Sequence, residues 1–390
     1  PALRRNGRPL HIGTGAHFTL ECGPASHRIT RPASVGIRIP ATRIVERDGL
    51  KIGIVGLACP IVDKTMPPAF STGLYFTIGV AETRRWIDQL RQNDGVDLII
   101  VLSHLGFPQD MKLAGEVDGI DVLLSGHTHN RMHEAIVVNG AIIMQSGCHG
   151  AYVGRLDLSV AGGRVVNFRH ELIPVDDRLP DHAGVAALVA AATAQERSAM
   201  DEVVGTVDAP LHRYAMLAAP MDDLLLEAIA TAAGTEIAFS NGWRYGAPIA
   251  PGPVTMRDLW NIIPTNPPVS TVMLTGREMR QMLEENLEST FAADPFRQMG
   301  GYVKRMRGVR VLLKAENPFG RRIEGIYAEG APLEPDRCYR VAFVTAQGVP
   351  ARFGTDRQDL DIHAIEAMRT LLARSSRPTP SDARHAVEMV

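Results

Sequence analysis

The sequence predicts an α/β fold that is built on mixed β-sheets and divided into two domains. Apolar runs of strand length alternate with amphipathic helical stretches along the first half of the chain. A hairpin signal follows, and the alternation resumes after an Ala-rich stretch. The length of 390 residues matches two domains of ordinary size. With 45% hydrophobic and 22% charged residues, the composition is that of a globular protein with a large core.

The elements of the first half follow from the spacing of the apolar residues. Short apolar runs bounded by turn residues predict strands, and apolar residues three and four positions apart predict helices. The segment Ala161-Gly162-Gly163 predicts a hairpin turn between two alternating runs. Helices are predicted at 80–93 and 112–117, and strands at 50–56, 97–103, 121–125, 141–145, 155–160 and 164–172.

The second half begins after an Ala-rich stretch, 185–203, which predicts a helix connecting the domains. Thr275 is expected to cap the helix that follows it. Beyond about residue 375 the composition turns polar and predicts a loose tail. Helices are predicted at 221–233 and 277–286, and strands at 236–240, 271–274 and 338–344. The predicted boundaries are a first domain at 1–180, a connecting helix at 181–204, a second domain at 205–375 and a tail at 376–390.

Charge and cysteine usage exclude several classes of function. A net charge of −2 gives no electrostatic reason to expect a nucleic acid or an anionic membrane surface as partner. No apolar run is long enough to predict a transmembrane helix. The four cysteines contain no CxxC pair, so neither a zinc ribbon nor a redox motif is predicted. Cys148, in a Gly-rich turn, is either a functional thiol or a small buried side chain. The oligomeric state stays open.

Three histidines follow predicted strands. His104 lies three positions after the end of the apolar run 98–101. His127 and His129 follow the run 122–124. Open sheets with helices on their faces bind ligands beyond the carboxyl ends of their strands. Histidine is the commonest ligand of zinc, copper, iron and nickel. The sequence therefore predicts a metal site at this edge of the sheet.

The order of these motifs resembles the 5'-nucleotidase family of dinuclear metallophosphoesterases. The resemblance rests on Ser-His-Leu-Gly at His104, Gly-His-Thr-His at 126–129, and Gln-Ser-Gly at 145–147 followed by Gly-Arg-Leu-Asp at 154–157. In the second half, the segment Ser-Asn-Gly-Trp-Arg at 240–244 is similar to the family's Asn-Gly loop with its phosphate-binding Arg. The resemblance covers roughly residues 40 to 350.

The resemblance implies a four-layer αββα domain with two divalent metals, manganese or zinc, followed by a C-terminal α/β domain that binds the substrate. His104 and His127 would bind one metal and His129 the other. Arg244 would donate to a tetrahedral oxyanion, as a planar guanidinium does. A periplasmic location is also implied. The other residues expected to contact substrate are Asn241, Trp243, Tyr245 and Phe296.

Part of the family pattern is missing. Its Asp-x-His and Gly-Asp motifs are absent from the start of the chain, so we expect an N-terminally truncated metallophosphoesterase domain. The Gly-Asn-His-Glu motif has an echo around His17. Aligned on Gly23 and Pro24, His17 takes the place of the Asn metal ligand; aligned on Gly15, it takes the place of the catalytic His.

Within the superfamily, the chain is similar to the thiosulfohydrolase branch, SoxB, which replaces that Asn by His. Asp-Pro-Phe at 294–296 and Gly-Arg-Arg-Ile at 320–323 match segments of this branch. The nucleotidases' base-stacking Phe is replaced within 264–266. The expected substrate is a small anion or a sulfur group linked to a carrier protein, cleaved by water. Two alternatives are a 5'-nucleotidase or UDP-sugar hydrolase, and a non-catalytic homologue that binds an anion or a partner.

Overall fold

The computed structural model describes residues 19–20, 38–66, 68–374 and 386–390. The chain forms two compact units, unit 1 up to Asp176 and unit 2 from Asp177 onward. The fold is α/β with mixed sheets, as the sequence predicts. None of the helices in the described ranges has both the length and the apolar composition needed to cross a bilayer.

Unit 1 contains one large sheet with helices and a long hairpin. Its strands are β1 Thr19–Leu20, β2 Arg38–Ile39, β3 Thr42–Arg47, β4 Leu50–Leu57, β5 Leu98–Ser103, β6 Val122–Leu124, β7 Ile136–Val138, β8 Ala141–Met144, β9 Tyr152–Ala161 and β10 Arg164–Pro174. Its helices are α1 Val62–Thr65, α2 Val80–Gln92 and α3 Phe107–Glu116.

The large sheet has the strand order β3-β4-β5-β6-β8-β7. The four inner strands are parallel, and the two edge strands pair antiparallel to their neighbours. Ile99, Leu123 and Ile143, from three of the inner strands, are fully buried in one core. Because parallel strands end at the same edge, the residues after β5, β6 and β8 come together there.

The hairpin β9-β10 forms where the sequence predicts it. Gly162 and Gly163, at its turn, both have positive φ angles, 58° and 69°. A two-residue turn with positive φ at both central positions matches the right-handed twist of the flanking strands. Glycine adopts this conformation without the steric cost of a Cβ atom.

Unit 2 contains a five-stranded, a four-stranded and a two-stranded sheet. Their strand orders are β15-β12-β19-β14-β20, β18-β17-β16-β21 and β11-β13. The strands are β11 Val203–Val207, β12 Ile237–Gly242, β13 Gly252–Thr255, β14 Pro268–Thr275, β15 Tyr302–Arg307, β16 Val309–Leu313, β17 Ile323–Ala328, β18 Ala331–Pro332, β19 Cys338–Phe343, β20 Thr355–His363 and β21 Val387–Met389. The helices are α4 Ala183–Thr193, α5 Arg197–Met200, α6 Pro220–Ala233, α7 Met256–Ile262, α8 Gly276–Phe291, α9 Thr345–Gly348 and α10 Ala364–Arg374.

The helix α8 begins where the sequence predicts it. The hydroxyl of Thr275 accepts a hydrogen bond from the Glu278 N–H, and the Glu278 carboxylate accepts one from the Thr275 N–H at 2.9 Å. Such a capping box satisfies backbone donors that have no partner within the helix. Hydrogen bonds from the backbone N–H groups of Thr275 and Gly354 to its carboxylate lower the pKa of Glu278.

The structure corrects three details of the sequence prediction. The connecting segment contains two helices, α4 and α5, where one was predicted. It ends before Val203, because pairing of β11 with β13 begins there. Helix α3 begins at Phe107, before the predicted Lys112, with Pro108 in its first turn where proline is tolerated. The predicted loose tail contains β21, which pairs in parallel with β16 and buries Val387.

Candidate functional site

The candidate site in unit 1 lies at the carboxyl ends of three adjacent parallel strands. His104 follows β5, the segment 125–130 follows β6, and the segment 145–150 follows β8. The two segments are joined by the bond from the Gly147 N–H to the Asn130 carbonyl, at 2.9 Å, and by a bridge between Arg131 and Ser146. The predicted sheet edge therefore holds the candidate side chains from three loops.

The structure brings His104 and His127 together. Their ring centroids lie 5.1 Å apart, and the ring planes are inclined by 56°. Metal–nitrogen bonds of about 2.1 Å place two imidazoles that share one cation roughly 4.5–5.2 Å apart, centroid to centroid. The spacing of the two ring centroids lies within this range.

The loop after β6 has an unusual backbone. His127 and His129 have φ angles of 65° and 61°, in the left-handed region. This conformation costs a residue with a Cβ atom roughly 1–2 kcal/mol, and such cost concentrates at functional sites. Gly126 lets the loop approach β5 closely, since a Cβ atom there would lie 3.0 Å from the Ser103 carbonyl oxygen and 3.3 Å from His104 Nδ1.

Gln145 holds this loop in place. Its side-chain amide donates to the Ser125 hydroxyl at 2.9 Å and to the Gly126 carbonyl at 2.6 Å. Its carbonyl oxygen accepts a hydrogen bond from the Asn130 N–H. The side chain is buried, so the loop loses these bonds without compensation from water if the amide is removed. Gln145 is a positioning residue for His127 and His129.

Asp110 connects the ends of β5 and β6 from helix α3. Its carboxyl group accepts hydrogen bonds from the Ser103 hydroxyl at 2.5 Å and the Ser125 hydroxyl at 2.6 Å. Burial raises the pKa of Asp110 to about 6, and the two serine hydrogen bonds lower it by less. Asp110 thereby fixes the strand ends on either side of His104.

His129 has a different set of neighbours. Its ligand nitrogen, the Cys148 sulfur and a His149 nitrogen all lie within 4.8 Å of one another. The rings of His129 and His149 are 5.9 Å apart in an edge-to-face arrangement. His17, the remaining predicted site residue of unit 1, lies outside the described residues.

The predicted substrate-binding residues of unit 2 lie at and beyond the end of β12. Asn241 is within this strand, and the side chains of Trp243, Arg244 and Tyr245 are half-buried in the loop after it. The Trp243 indole N–H donates to the Gln347 side-chain oxygen at 3.0 Å, and the Asn241 amide contacts the same oxygen at 3.5 Å. Gln347 therefore orients two of the predicted residues.

The aromatic rings of this loop lie against buried cations. The Arg213 guanidinium is 5.0 Å from the Tyr245 ring centroid, and the rings of Trp243 and Tyr245 are 5.4 Å apart. Burial raises the pKa of Tyr245 to about 12, despite the nearby Arg213, so its phenol is protonated at neutral pH. Arg244 contacts the ring of Tyr302, with 5.9 Å between guanidinium carbon and centroid.

Phe296 is placed in a different segment of unit 2. It is the middle residue of a single 3₁₀ turn, Pro295–Arg297, where its N–H donates to the Asp294 carboxylate at 3.1 Å. Its side chain is half-buried. Its role as a substrate contact stays a prediction.

Residues 203–345 match the family model of the 5'-nucleotidase C-terminal domain. A SoxB structure from Thermus thermophilus, a sulfate thiohydrolase, superimposes with a TM-score of 0.82 at 28% identity and covers 91% of this chain and 66% of its own. Residues 203–345 thus form a domain of the 5'-nucleotidase C-terminal family. A 5'-nucleotidase precursor from Thermus thermophilus shares the fold, with a TM-score of 0.75 at 20% identity over 90% of this chain and 74% of its own. The two-domain fold predicted from the sequence is thereby confirmed.

Curated relatives of the chain are more distant in sequence. The trifunctional nucleotide phosphoesterase protein YfkN of Bacillus subtilis is 25% identical over 78% of this chain. Protein UshA of Yersinia enterocolitica is 22% identical over 77% of this chain. The chain spans 22% of the length of the first relative and 62% of the second.

Sequence reasoning did not single out three polar residues beside the candidate side chains, which are Gln145 and Asp110 in unit 1 and Gln347 in unit 2. Each is a polar side chain that bonds to loops distant in sequence. The signal available for Gln145 was its place in the Gln-Ser-Gly motif at 145–147. Asp110 lies on a helix face, and nothing in its local spacing distinguishes it from an exposed carboxylate.

Proposed function

We propose that this chain is a metal-dependent hydrolase that cleaves a phosphoryl or sulfonyl ester-type substrate with water. The observation that carries the proposal is the pair His104 and His127, 5.1 Å apart at the ends of adjacent parallel strands. Neutral imidazole is a ligand for zinc and manganese. The proposal assigns His104 and His127 to one divalent ion and His129 to a second.

In this proposal, residues of the chain would bind the metal ions and the substrate and hold the binding side chains in position. When bound, divalent ions supply an acidified water and charge that offsets a developing oxyanion. Gln145 and Asp110 keep the histidine loop and the strand ends in one arrangement. Arg244 donates in a planar fork to oxygens of the substrate, and Asn241 is oriented for a further contact by Gln347. His17 would serve either as a metal ligand or as a catalytic histidine.

The substrate class we favour is a sulfur oxyanion, either a small molecule or a thiosulfonate on a carrier protein. The 28% identity to SoxB over 91% of this chain supports this choice. Trp243, Tyr245 and Phe296 would supply apolar walls for such a group. The second candidate is a nucleotide or UDP-sugar phosphate, and the similarity to YfkN, a trifunctional nucleotide phosphoesterase protein, supports the nucleotide.

The test compares metal content and hydrolysis in the full chain and two variants. His127→Ala should lower bound manganese or zinc and reduce hydrolysis by more than the roughly 10–100-fold that loss of an outer partner costs. The matched control is His133→Ala, which removes an exposed histidine six positions further along and should change neither quantity. Unchanged metal content and hydrolysis in His127→Ala would contradict the proposal.

A substrate panel separates the candidate activities. Sulfate released from a cysteine-linked thiosulfonate supports the sulfur class, whereas phosphate released from nucleoside monophosphates or UDP-sugars supports the nucleotidase class. Metal binding without cleavage of any substrate would favour the non-catalytic, anion-binding alternative. We also propose a periplasmic location, which cell fractionation would test.

A further inference from the structure

The cluster of His129, Cys148 and His149 has the composition of a transition-metal site. Three potential ligand atoms, two nitrogens and one sulfur, lie within 4.8 Å of one another. Ligand atoms around a tetrahedral zinc ion, with bonds of about 2.1 Å to nitrogen and 2.3 Å to sulfur, are roughly 3.4–3.7 Å apart. Each distance would therefore have to shorten by at most about 1.4 Å, and rotation of the exposed His149 side chain can shorten the two distances that involve it.

The backbone brings these residues together from two loops. The bond from Gly147 N–H to Asn130 and the bridge between Arg131 and Ser146 fix the segment of Cys148 beside that of His129. Arg131 is itself held by Tyr152, whose hydroxyl lies 3.0 Å from a guanidinium nitrogen. The cluster thus rests on a hydrogen-bonded frame.

The backbone conformation of the two histidines supports a functional reading. His129 and His149 have φ angles of 61° and 58°. Each costs roughly 1–2 kcal/mol relative to an ordinary conformation. Gly147 and Gly150, on either side of Cys148 and His149, also have positive φ angles, 72° and 70°. Three of these four consecutive residues therefore have a left-handed backbone.

We propose that His129, Cys148 and His149 bind one zinc ion, with Cys148 as a thiolate ligand. Within the described part of the chain, the cluster consists of two imidazoles and one thiol, so the thiolate would supply its negative charge. Thiolate and imidazole together select zinc over magnesium and manganese, which prefer oxygen. Three protein ligands leave a fourth position open, as in catalytic zinc sites. The inference rests on the proposed function only through His129, which both assign to a metal.

Cobalt substitution tests the thiolate directly. The full chain, kept reduced, is loaded with Co²⁺, and the near-ultraviolet thiolate-to-cobalt charge-transfer band is recorded together with the visible bands of tetrahedral cobalt. We expect the charge-transfer band in the unmodified chain and its loss in Cys148→Ser, with zinc affinity lowered at least tenfold. His149→Gln should weaken zinc binding but keep the charge-transfer band at saturating cobalt.

Two matched controls keep the result specific. Cys59→Ser and Cys338→Ser remove the other described cysteines, which lie outside the cluster, and should leave band and affinity unchanged. Circular dichroism and urea unfolding show whether Cys148→Ser is folded. Absence of the band in the unmodified chain, or its persistence in a folded Cys148→Ser variant, would overturn the inference.

The same experiment separates this inference from the proposed hydrolase. Hydrolysis that depends on His127, without a thiolate band, removes the inference and leaves the hydrolase standing. A thiolate band that depends on Cys148, in a chain that cleaves no substrate of the panel, supports the zinc site and removes the hydrolase. The band and the catalytic rate are independent readouts, so neither failure hides the other.

Discussion

At the scale of single residues, the candidate site depends on polar side chains that do not themselves react. The side-chain amide of Gln145 donates hydrogen bonds to Ser125 and Gly126, and its oxygen accepts one from the Asn130 N–H. These bonds stabilise a loop in which His127 and His129 have left-handed backbones. Backbone strain of this kind persists only where the surrounding structure fixes it. We infer that the positions of both imidazoles are set before any ligand binds.

Asp110 makes stability depend on pH. Its folded pKa of about 6 lies above the ordinary 3.8, so the folded protein holds the proton more tightly than the unfolded chain. Its contribution is therefore fully present below pH 4 and is lost as the pH rises to about 6. The difference corresponds to about 3 kcal/mol. Urea unfolding between pH 4 and 6.5 should show this decline, and Asp110→Asn should reduce it.

The comparison needs a carboxylate that is not buried. Asp88→Asn changes an exposed aspartate on helix α2 and should leave the pH dependence of the unmodified chain in place. Histidines also titrate in this interval, so the informative quantity is the difference in slope between each variant and the unmodified chain. Equal slopes for Asp110→Asn and the unmodified chain would contradict the assignment.

At the scale of elements, a strand that is buried in the sheet can be recognised in the sequence from its run of apolar residues. Strand β8 is a continuous apolar run that is buried at all four positions, as is typical of an inner parallel strand covered on both faces. The predictions of β4, β5 and β8 are confirmed. Strand β21 was not predicted, because a segment of three residues gains its stability from pairing with β16. Nothing within three residues carries the information about such a distant partner.

The contribution of β21 to stability can be measured with two valines, Val387 at the start of the strand and Val390 directly after it. Val387 is 3% exposed and Val390 is 58% exposed. Val387→Ala removes methyl groups from the core of unit 2 and should lower the free energy of unfolding by about 1–3 kcal/mol. Val390→Ala should change it by less than about 0.5 kcal/mol. Similar small effects in urea unfolding would mean that β21 does not contribute to the folded core.

At the scale of the whole molecule, sequence reasoning located the sheet edge but not all of its contents. His104, His127 and His129 follow strands that the apolar runs predict, so topology alone brings their loops to one edge. The neighbours of His129 come from the loop after β8, about twenty residues away, and depend on how two loops pair. Loop pairing is set by tertiary contacts, which short-range spacing does not encode.

In unit 2, the buried carboxylate of Asp222 binds two buried guanidinium groups. We therefore expect unfolding stability to be sensitive to substitution of this residue. Asp222, on helix α6, accepts hydrogen bonds from Arg213 at 2.7 Å and from Arg305 at 2.9 Å, and all three side chains are at most 1% exposed. It thus joins a loop, a helix and strand β15 that are far apart in sequence. Burial lowers the pKa of Arg305 despite the nearby carboxylate, so the site is costly for charge.

Asp222→Ala should lower the free energy of unfolding by about 3–5 kcal/mol, because two buried guanidinium groups lose their counter-charge. The matched control is Asp201→Ala, which breaks an ion pair of similar length, 2.6 Å to Arg257, whose side chains are 55% and 49% exposed. That change should cost no more than about 1 kcal/mol, since water already solvates both groups. Urea unfolding followed by circular dichroism measures both losses. If the two losses are equal, burial is not what makes the Asp222 network important, and the central role assigned to that carboxylate is wrong.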